Sequence, residues 1–306
     1  MAKQSKIGAA KIKKINFSWL SHHPLPRPDA AGDKDTRGVV LVVGGAVELP
    51  GAVLLAGIAA LRAGAGKLQI ATCRDVVPQI GTAVPEALVA GLPQSPSGGI
   101  AAAAAKNVVK RAHGADAVLL GPGMVGEEEV RALVGQVLKD VMDPVIVLDA
   151  AALEAAAKMP ELTRAHGGRL IVTPHAGEMA SMLSVDKDVV TQRPREIAEQ
   201  AAQNLGAIVV LKGSVTYIAS PDQPTCCYTA GDVGLATSGS GDTLAGVIAG
   251  LAARGTDPFI AACWGVFLHG EAGNALAKKI GRIGFLAREL LDEIPRVMQR
   301  AMEKTT

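Results

Sequence analysis

The chain has 306 residues, of which 49% are hydrophobic, 20% charged and 3% aromatic, with a formal net charge of +2. That much apolar material excludes a disordered chain and suffices for the core of one large α/β domain. The charge balance is too mild to point to nucleic acid, and uncharged apolar stretches such as 52–61 fall well short of the ~20 residues of a membrane span.

The first residues are polar and lysine-rich, without the apolar centre of a secretory signal. Lys3, Lys6, Lys11, Lys13 and Lys14 form the one charge cluster. It reads as a solvated, partly mobile arm, with a phosphate-binding or transit role as the alternative. Pro24, Pro26 and Pro28 punctuate the entry to the body, so the chain divides into an arm over 1–37 and a folded domain over 38–306. The four cysteines, Cys73, Cys226, Cys227 and Cys263, contain no C-x-x-C and are expected as free thiols in a reducing cytoplasm.

From Gly38 onward apolar runs alternate with helical segments. Strands are predicted at 39–43, 67–72, 117–120, 145–148, 169–172, 208–211, 215–219 and 226–229. Helices are predicted at 52–63, 101–112, 127–139, 177–183, 195–204, 242–253, 258–279 and 286–302. Gly and Ala are abundant, so these helices should pack closely through small side chains. The alternation implies a mostly parallel sheet with helices on both faces. In such sheets ligands bind at the carboxyl ends of the strands. Five of those ends carry small or polar residues: Gly44-Gly45, Gly121-Pro122-Gly123, Asp149, Thr173-Pro174-His175 and Lys212-Gly213.

The segment from Gly234 to Gly246 carries the strongest chemical signal. Gly239, Ser240 and Gly241 lie directly ahead of an apolar helix. The first amides of a helix lack intrahelical partners, and glycines allow close approach, so the turn can cradle a phosphate. It is not a Walker loop, because no Lys-Ser/Thr follows. As a structural residue, Asp242 would complement the helix dipole. A carboxylate beside a bound phosphate is repulsive, however, and makes sense as a base for a hydroxyl that attacks phosphorus.

Gly-Ser-Gly-Asp before a long helix resembles the anion-hole and base motif of the ribokinase-like superfamily. Within it, the chain is similar to the ADP/ATP-dependent NAD(P)H-hydrate dehydratases. The resemblance runs from about Gly38 to Val297 through ordered motifs: Gly44-Gly45 with Leu49-Pro50-Gly51-Ala52, then residues 60–66, Gly121-Pro122-Gly123, Leu148-Asp149-Ala150, residues 173–179 and Leu211-Lys212-Gly213. Related vitamin kinases carry Asn where this chain has His175.

The resemblance implies a ribokinase-like fold and a set of site residues. Asp242 would be the catalytic base and also touch the substrate. Lys212, Gly213, Ser214, Val215, Thr216, Gly239, Ser240 and Gly241 would bind the nucleotide. Ala52, Gly123 and His175 would contact the hydrated nicotinamide, and Glu178 would order Mg2+-bound water. Without the resemblance, His175 and Glu178 read as a helix cap, and zinc is disfavoured for want of a third ligand. Asp232 and Ala151 depart from the family pattern, where Asn and a second Asp are common. His269, in a long apolar helix, reads as a core histidine. The resemblance further implies phosphorylation of the ring hydroxyl by ADP (or ATP) followed by elimination, restoring the reduced cofactor. A tetramer, and a separate epimerase supplying the usable epimer, complete the expectation. The alternatives are a kinase that stops at the phosphate ester and a nucleotide sensor without turnover.

Overall fold

Short β-branched runs joined by helical segments favour a sheet buried on both faces. The computed structural model describes residues 12–27 and 34–304. The chain begins with β1 (Lys13–Lys14), α1 (Phe17–Ser21), β2 (Val39–Val43), α2 (Gly51–Arg62), β3 (Lys67–Cys73), α3 (Val77–Ala83) and β4 (Ala87–Leu92). Next come α4 (Ala105–Ala112), β5 (Ala117–Leu120), α5 (Glu127–Asp140), β6 (Val145–Leu148), α6 (Ala151–Ala157), α7 (Pro160–Ala165) and β7 (Leu170–Val172). Then follow α8 (Ala176–Leu183), α9 (Lys187–Gln192), α10 (Pro194–Leu205), β8 (Ile208–Leu211), β9 (Thr216–Ala219) and β10 (Cys226–Tyr228). Three helices close the chain: α11 (Ser240–Ala253), α12 (Pro258–Lys279) and α13 (Ala287–Lys304).

The described strands form one sheet in the order β1-β10-β9-β8-β7-β6-β5-β2-β3-β4. Only the β8–β9 and β9–β10 pairs are antiparallel, so the sheet is mostly parallel as predicted. β5, β7 and β8 are buried along their whole length, which is why they read as unbroken apolar runs. α2, α11 and α12 pack on the sheet, with α11 on both α2 and the central strands β5 and β6, and α13 packs on these helices. There Gly246 and Gly250 let α11 lie against α2: a Cβ on Gly246 would fall 2.1 Å from the Ala56 carbonyl oxygen, and one on Gly250 2.4 Å from that of Ala60. The expected packing through small residues is thus realised where α11, the helix that carries Asp242, is seated.

The expected solvated arm is corrected in its described part. Lys3 and Lys6 and Lys11 lie outside the described residues. Lys13 and Lys14, with exposed side chains, pair their backbone in parallel with Cys226 and Cys227 and extend the sheet. Ile15, Leu20 and Leu25 are buried in the main core, and the Trp264 indole Nε1 donates to the His23 carbonyl (2.7 Å). Apolar residues between the lysines and the prolines give this segment a core face, and the lysines merely line its solvent side. β4 is a sheet edge that no predicted strand covered. The four cysteines are buried free thiols. Among the described residues no helix is long and apolar enough to cross a membrane.

Candidate active site

The five strand ends singled out in the sequence belong to β2, β5, β6, β7 and β8, which are consecutive in the sheet. They therefore form one continuous rim. At its β7–β8 corner, pairing continues past the strands: His175 bridges Lys212 in parallel, and the Lys212 amide donates to the Pro174 carbonyl (2.8 Å). Pro174 has no amide proton and restricts Thr173 to extended backbone, so the strand cannot coil into α8 before His175.

His175 caps α8. Its Nδ1 accepts from the amides of Gly177 (3.0 Å) and Glu178 (3.2 Å), while Glu178 Oε2 accepts from the His175 amide (2.7 Å). This reciprocal capping box fixes both side chains. Because Nδ1 accepts, the neutral ring carries its proton on Nε2. The ring is 58% exposed, so that N–H is available to a ligand. The cap and the ligand-facing reading of His175 are compatible, since they use different ring nitrogens.

Lys212 leaves the end of β8 and is held by carboxylates. Its Nζ donates to Asp149 Oδ1 (3.1 Å) and lies 3.6 Å from Glu178 Oε2. Asp149, at the end of β6 and buried, also accepts from Thr173 Oγ1 (2.6 Å). Gly121 is required here, because a Cβ on it would fall 1.8 Å from the Asp149 carbonyl oxygen and its φ is +120°. Burial opposes the Lys212 ammonium, but Asp149, Glu178 and Asp242 outweigh that and hold its pKa above the ordinary value.

Asp242 enters from the other layer, in the first turn of α11. Gly239 precedes that helix in the left-handed conformation (φ +84°), and a Cβ on Gly241 would lie 3.2 Å from Lys212 Nζ. The glycine turn, the lysine and Asp242 therefore meet. Burial raises the Asp242 pKa, as do the charges of Asp149 and Glu178, against the opposing pull of Lys212. The result is a carboxyl that titrates at about 6.

Lys212, Gly213, Ser214 and Val215 connect β8 to β9, which Thr216 opens one residue later than the predicted strand over 215–219. Ala52, in the first turn of α2, adjoins Gly123: a Cβ on Gly123 (φ +65°) would sit 3.0 Å from the Ala52 Cβ. A cleft of about 490 Å³ is walled by Met124, Ala150, Ala151, His175, Gly177 and Glu178; Ala52 and Gly123 are not among its lining residues. Ala151 contributes only a methyl group to that wall. Asp232 caps the turn at Val233–Leu235 and pairs with Arg282 (3.1 Å). Among the described residues no three His, Cys, Asp or Glu are grouped to chelate a metal directly.

Two residues assigned no site role in the sequence join this cluster. Asp149 was legible as a strand-end carboxylate, but its partner Lys212 lies 63 positions away. His269, expected in the core and found there, has Nε2 2.9 Å from Ser240 Oγ.

A family model described as NAD(P)H-hydrate dehydratase matches residues 40–296. The ADP-dependent (S)-NAD(P)H-hydrate dehydratase of Xanthomonas campestris is 45% identical over 95% of this chain and 97% of its own. The bifunctional NAD(P)H-hydrate repair enzyme of Moorella thermoacetica is 38% identical over 95% of this chain, which spans 54% of that longer relative. The solved structure of the Bacillus subtilis ADP/ATP-dependent NAD(P)H-hydrate dehydratase, co-crystallized with ATP/Mg2+, superposes with a TM-score of 0.78. It is 32% identical over 96% of this chain and 100% of that one.

Proposed function

Since the chain belongs to the NAD(P)H-hydrate dehydratase family, we propose that it returns hydrated NADH or NADPH to the reduced cofactor, converting ADP to AMP and phosphate. The observation that carries this reading is the meeting of Asp242, with its pKa near 6, and Lys212 at a glycine turn that opens a helix. A carboxylate at an anion turn needs a proton to take, and a pKa near 6 leaves it ionised yet basic at neutral pH.

Asp242 takes the proton of the ring hydroxyl as its oxygen attacks the terminal phosphorus of ADP. The bond from that phosphorus to AMP breaks. The amides of Gly239, Gly241 and Asp242 and the Lys212 ammonium stabilise charge on the transferred group, while the Ser240 amide donates to the Thr237 carbonyl (3.2 Å). Phosphate then leaves from the ring carbon, pushed by the ring nitrogen's electron pair, and the neighbouring carbon loses a proton to restore the double bond. Lys212, Gly213, Ser214, Val215, Thr216, Gly239, Ser240 and Gly241 hold the nucleotide in this reading. Ala52 and Gly123 leave room for the flat ring, and the His175 Nε2–H donates to the substrate.

Glu178 and Asp149 fit a hydrated magnesium ion, which takes one or two carboxylates, keeps several waters and is completed by phosphate oxygens. Magnesium, when bound, neutralises charge on the diphosphate.

The wider setting in this reading is a cytoplasmic homotetramer working alongside an epimerase. The bifunctional repair enzymes among its relatives support a second repair activity. Exposed Val233, Ile280, Ile283 and Leu286 offer apolar surface for subunit contact. Light scattering at micromolar concentration is expected to give four times the chain mass, and a monomer would contradict the assembly.

The decisive assay incubates the purified protein with hydrated NADH, magnesium and ADP. Equal yields of NADH, AMP and phosphate are expected. Nucleotide turnover that ends in a stable phosphate ester would make it a kinase instead, and ADP binding without products would make it a sensor.

A further inference from the structure

The turn that opens α11 is built from the most permissive residues available. Gly239 is left-handed and Gly241 follows two positions on, so Ser240 is the only side chain between them. Glycines allow an anion close to the backbone but leave that backbone loosely specified. Whatever fixes Ser240 therefore fixes the amides around it and the direction of Asp242.

Ser240 is 5% exposed and faces His269 on α12, which is 8% exposed. One ring nitrogen, His269 Nε2, lies 2.9 Å from Ser240 Oγ and 3.0 Å from the Ser240 carbonyl oxygen. A carbonyl only accepts, so Nε2 carries the proton and is the donor. The same N–H faces Oγ, which therefore accepts from it and keeps its own proton for another partner. Burial pushes the ring pKa down to about 4, with nearby Lys212 adding to the effect, so the ring stays neutral at neutral pH. A neutral donor holds the turn without adding charge beneath it.

We propose that His269 is a positioning residue of this enzyme: its Nε2–H clamps the side chain and backbone of Ser240, and so preorganises the glycine turn for the ADP phosphates and Asp242 for its proton. The inference rests on the assignment of 239–242 as the nucleotide's anion turn. Preorganised donors stabilise a phosphoryl group because no ordering is left to be done at the moment of reaction.

The test compares His269→Leu, His269→Gln, Ser240→Ala and the double variant Ser240→Ala/His269→Leu. ADP affinity is measured by calorimetry in the presence of magnesium, and turnover well below each melting temperature. His269→Leu is expected to weaken ADP binding and to lower kcat, each by roughly tenfold, the loss of one well-placed hydrogen bond. His269→Gln, whose side-chain N–H reaches the same position, is expected to recover most of both. In the Ser240→Ala background the leucine substitution should cost distinctly less. A merely structural histidine would lower the melting temperature of His269→Leu and leave ADP affinity and kcat per folded molecule within twofold of wild type. That result, or strict additivity in the double variant, overturns the proposal. A wild-type chain that binds ADP but does not dehydrate hydrated NADH overturns the proposed function, while the variants' affinities still decide the clamp. A wild-type chain that binds no ADP overturns both.

Discussion

At the scale of single residues, the proposed chemistry turns on a carboxyl placed where it is costly to ionise. Asp242 titrates near 6 because burial and the charges of Asp149 and Glu178 outweigh Lys212. In the unfolded chain the same group ionises near its usual value, so the folded state binds the proton more tightly. Its contribution to stability therefore falls as pH rises from about 4 to about 6. Asp242→Asn abolishes that loss. In denaturation series, the variant should gain on wild type across this window, levelling above it at an advantage on the order of 2 kcal/mol. An unchanged difference between the two proteins from pH 4 to 7 would show that Asp242 is not perturbed. The same titration governs catalysis: kcat/KM should fall about tenfold per unit as pH drops below about 6. His175 makes a different prediction. Asparagine also caps helices well, so His175→Asn should keep its melting temperature within a degree or two. Its KM for hydrated NADH should rise roughly tenfold through loss of the Nε2–H donor, with ADP affinity retained. An unchanged KM would remove His175 from the substrate side.

At the scale of elements, most of the site was legible because its signals are local. Gly-Ser-Gly-Asp before an apolar helix, and Thr-Pro-His-x-x-Glu after a strand, each state their own geometry within a few residues. The joining of elements was not legible. Nothing local announces that Lys212 pairs with Asp149, or that His269 of α12 reaches back to Ser240. β4 escaped notice although Ala87–Leu92 is apolar throughout: at the sheet edge it is only half buried, and no polar residue alternates along it to mark two faces. The α11–α2 contact is the element on which the base depends. Gly246→Ala would press a methyl group into the Ala56 carbonyl, forcing the helices apart. Overpacking of this kind costs about 1–3 kcal/mol. Because α11 carries Asp242, kcat should fall along with the melting temperature. A variant with wild-type melting and turnover would mean that the two helices can separate freely.

At the scale of the whole molecule, the alternation of strands and helices gave the mostly parallel sheet, and the strand-end residues foretold one rim before their order in space was known. What length and charge misjudged was the start of the chain, where Ile15, Leu20 and Leu25 carry the lysine-rich segment onto the core. The rim brings the Gly239–Gly241 turn, Lys212 and Asp242 together, and His175 and Glu178 connect it to a cleft of about 490 Å³. The most direct measurement of this arrangement is a parallel assay of wild type and Asp242→Asn with hydrated NADH, magnesium and ADP, following NADH, AMP and phosphate together. With Asp242 as the base, wild type should form the three products in equal amounts and the variant should be slower by roughly 10²–10⁴-fold, with ADP affinity retained or slightly tightened. Turnover of the variant within about threefold of wild type, with ADP bound equally well, would contradict the assignment of the base and the phosphorylation–elimination chemistry built on it.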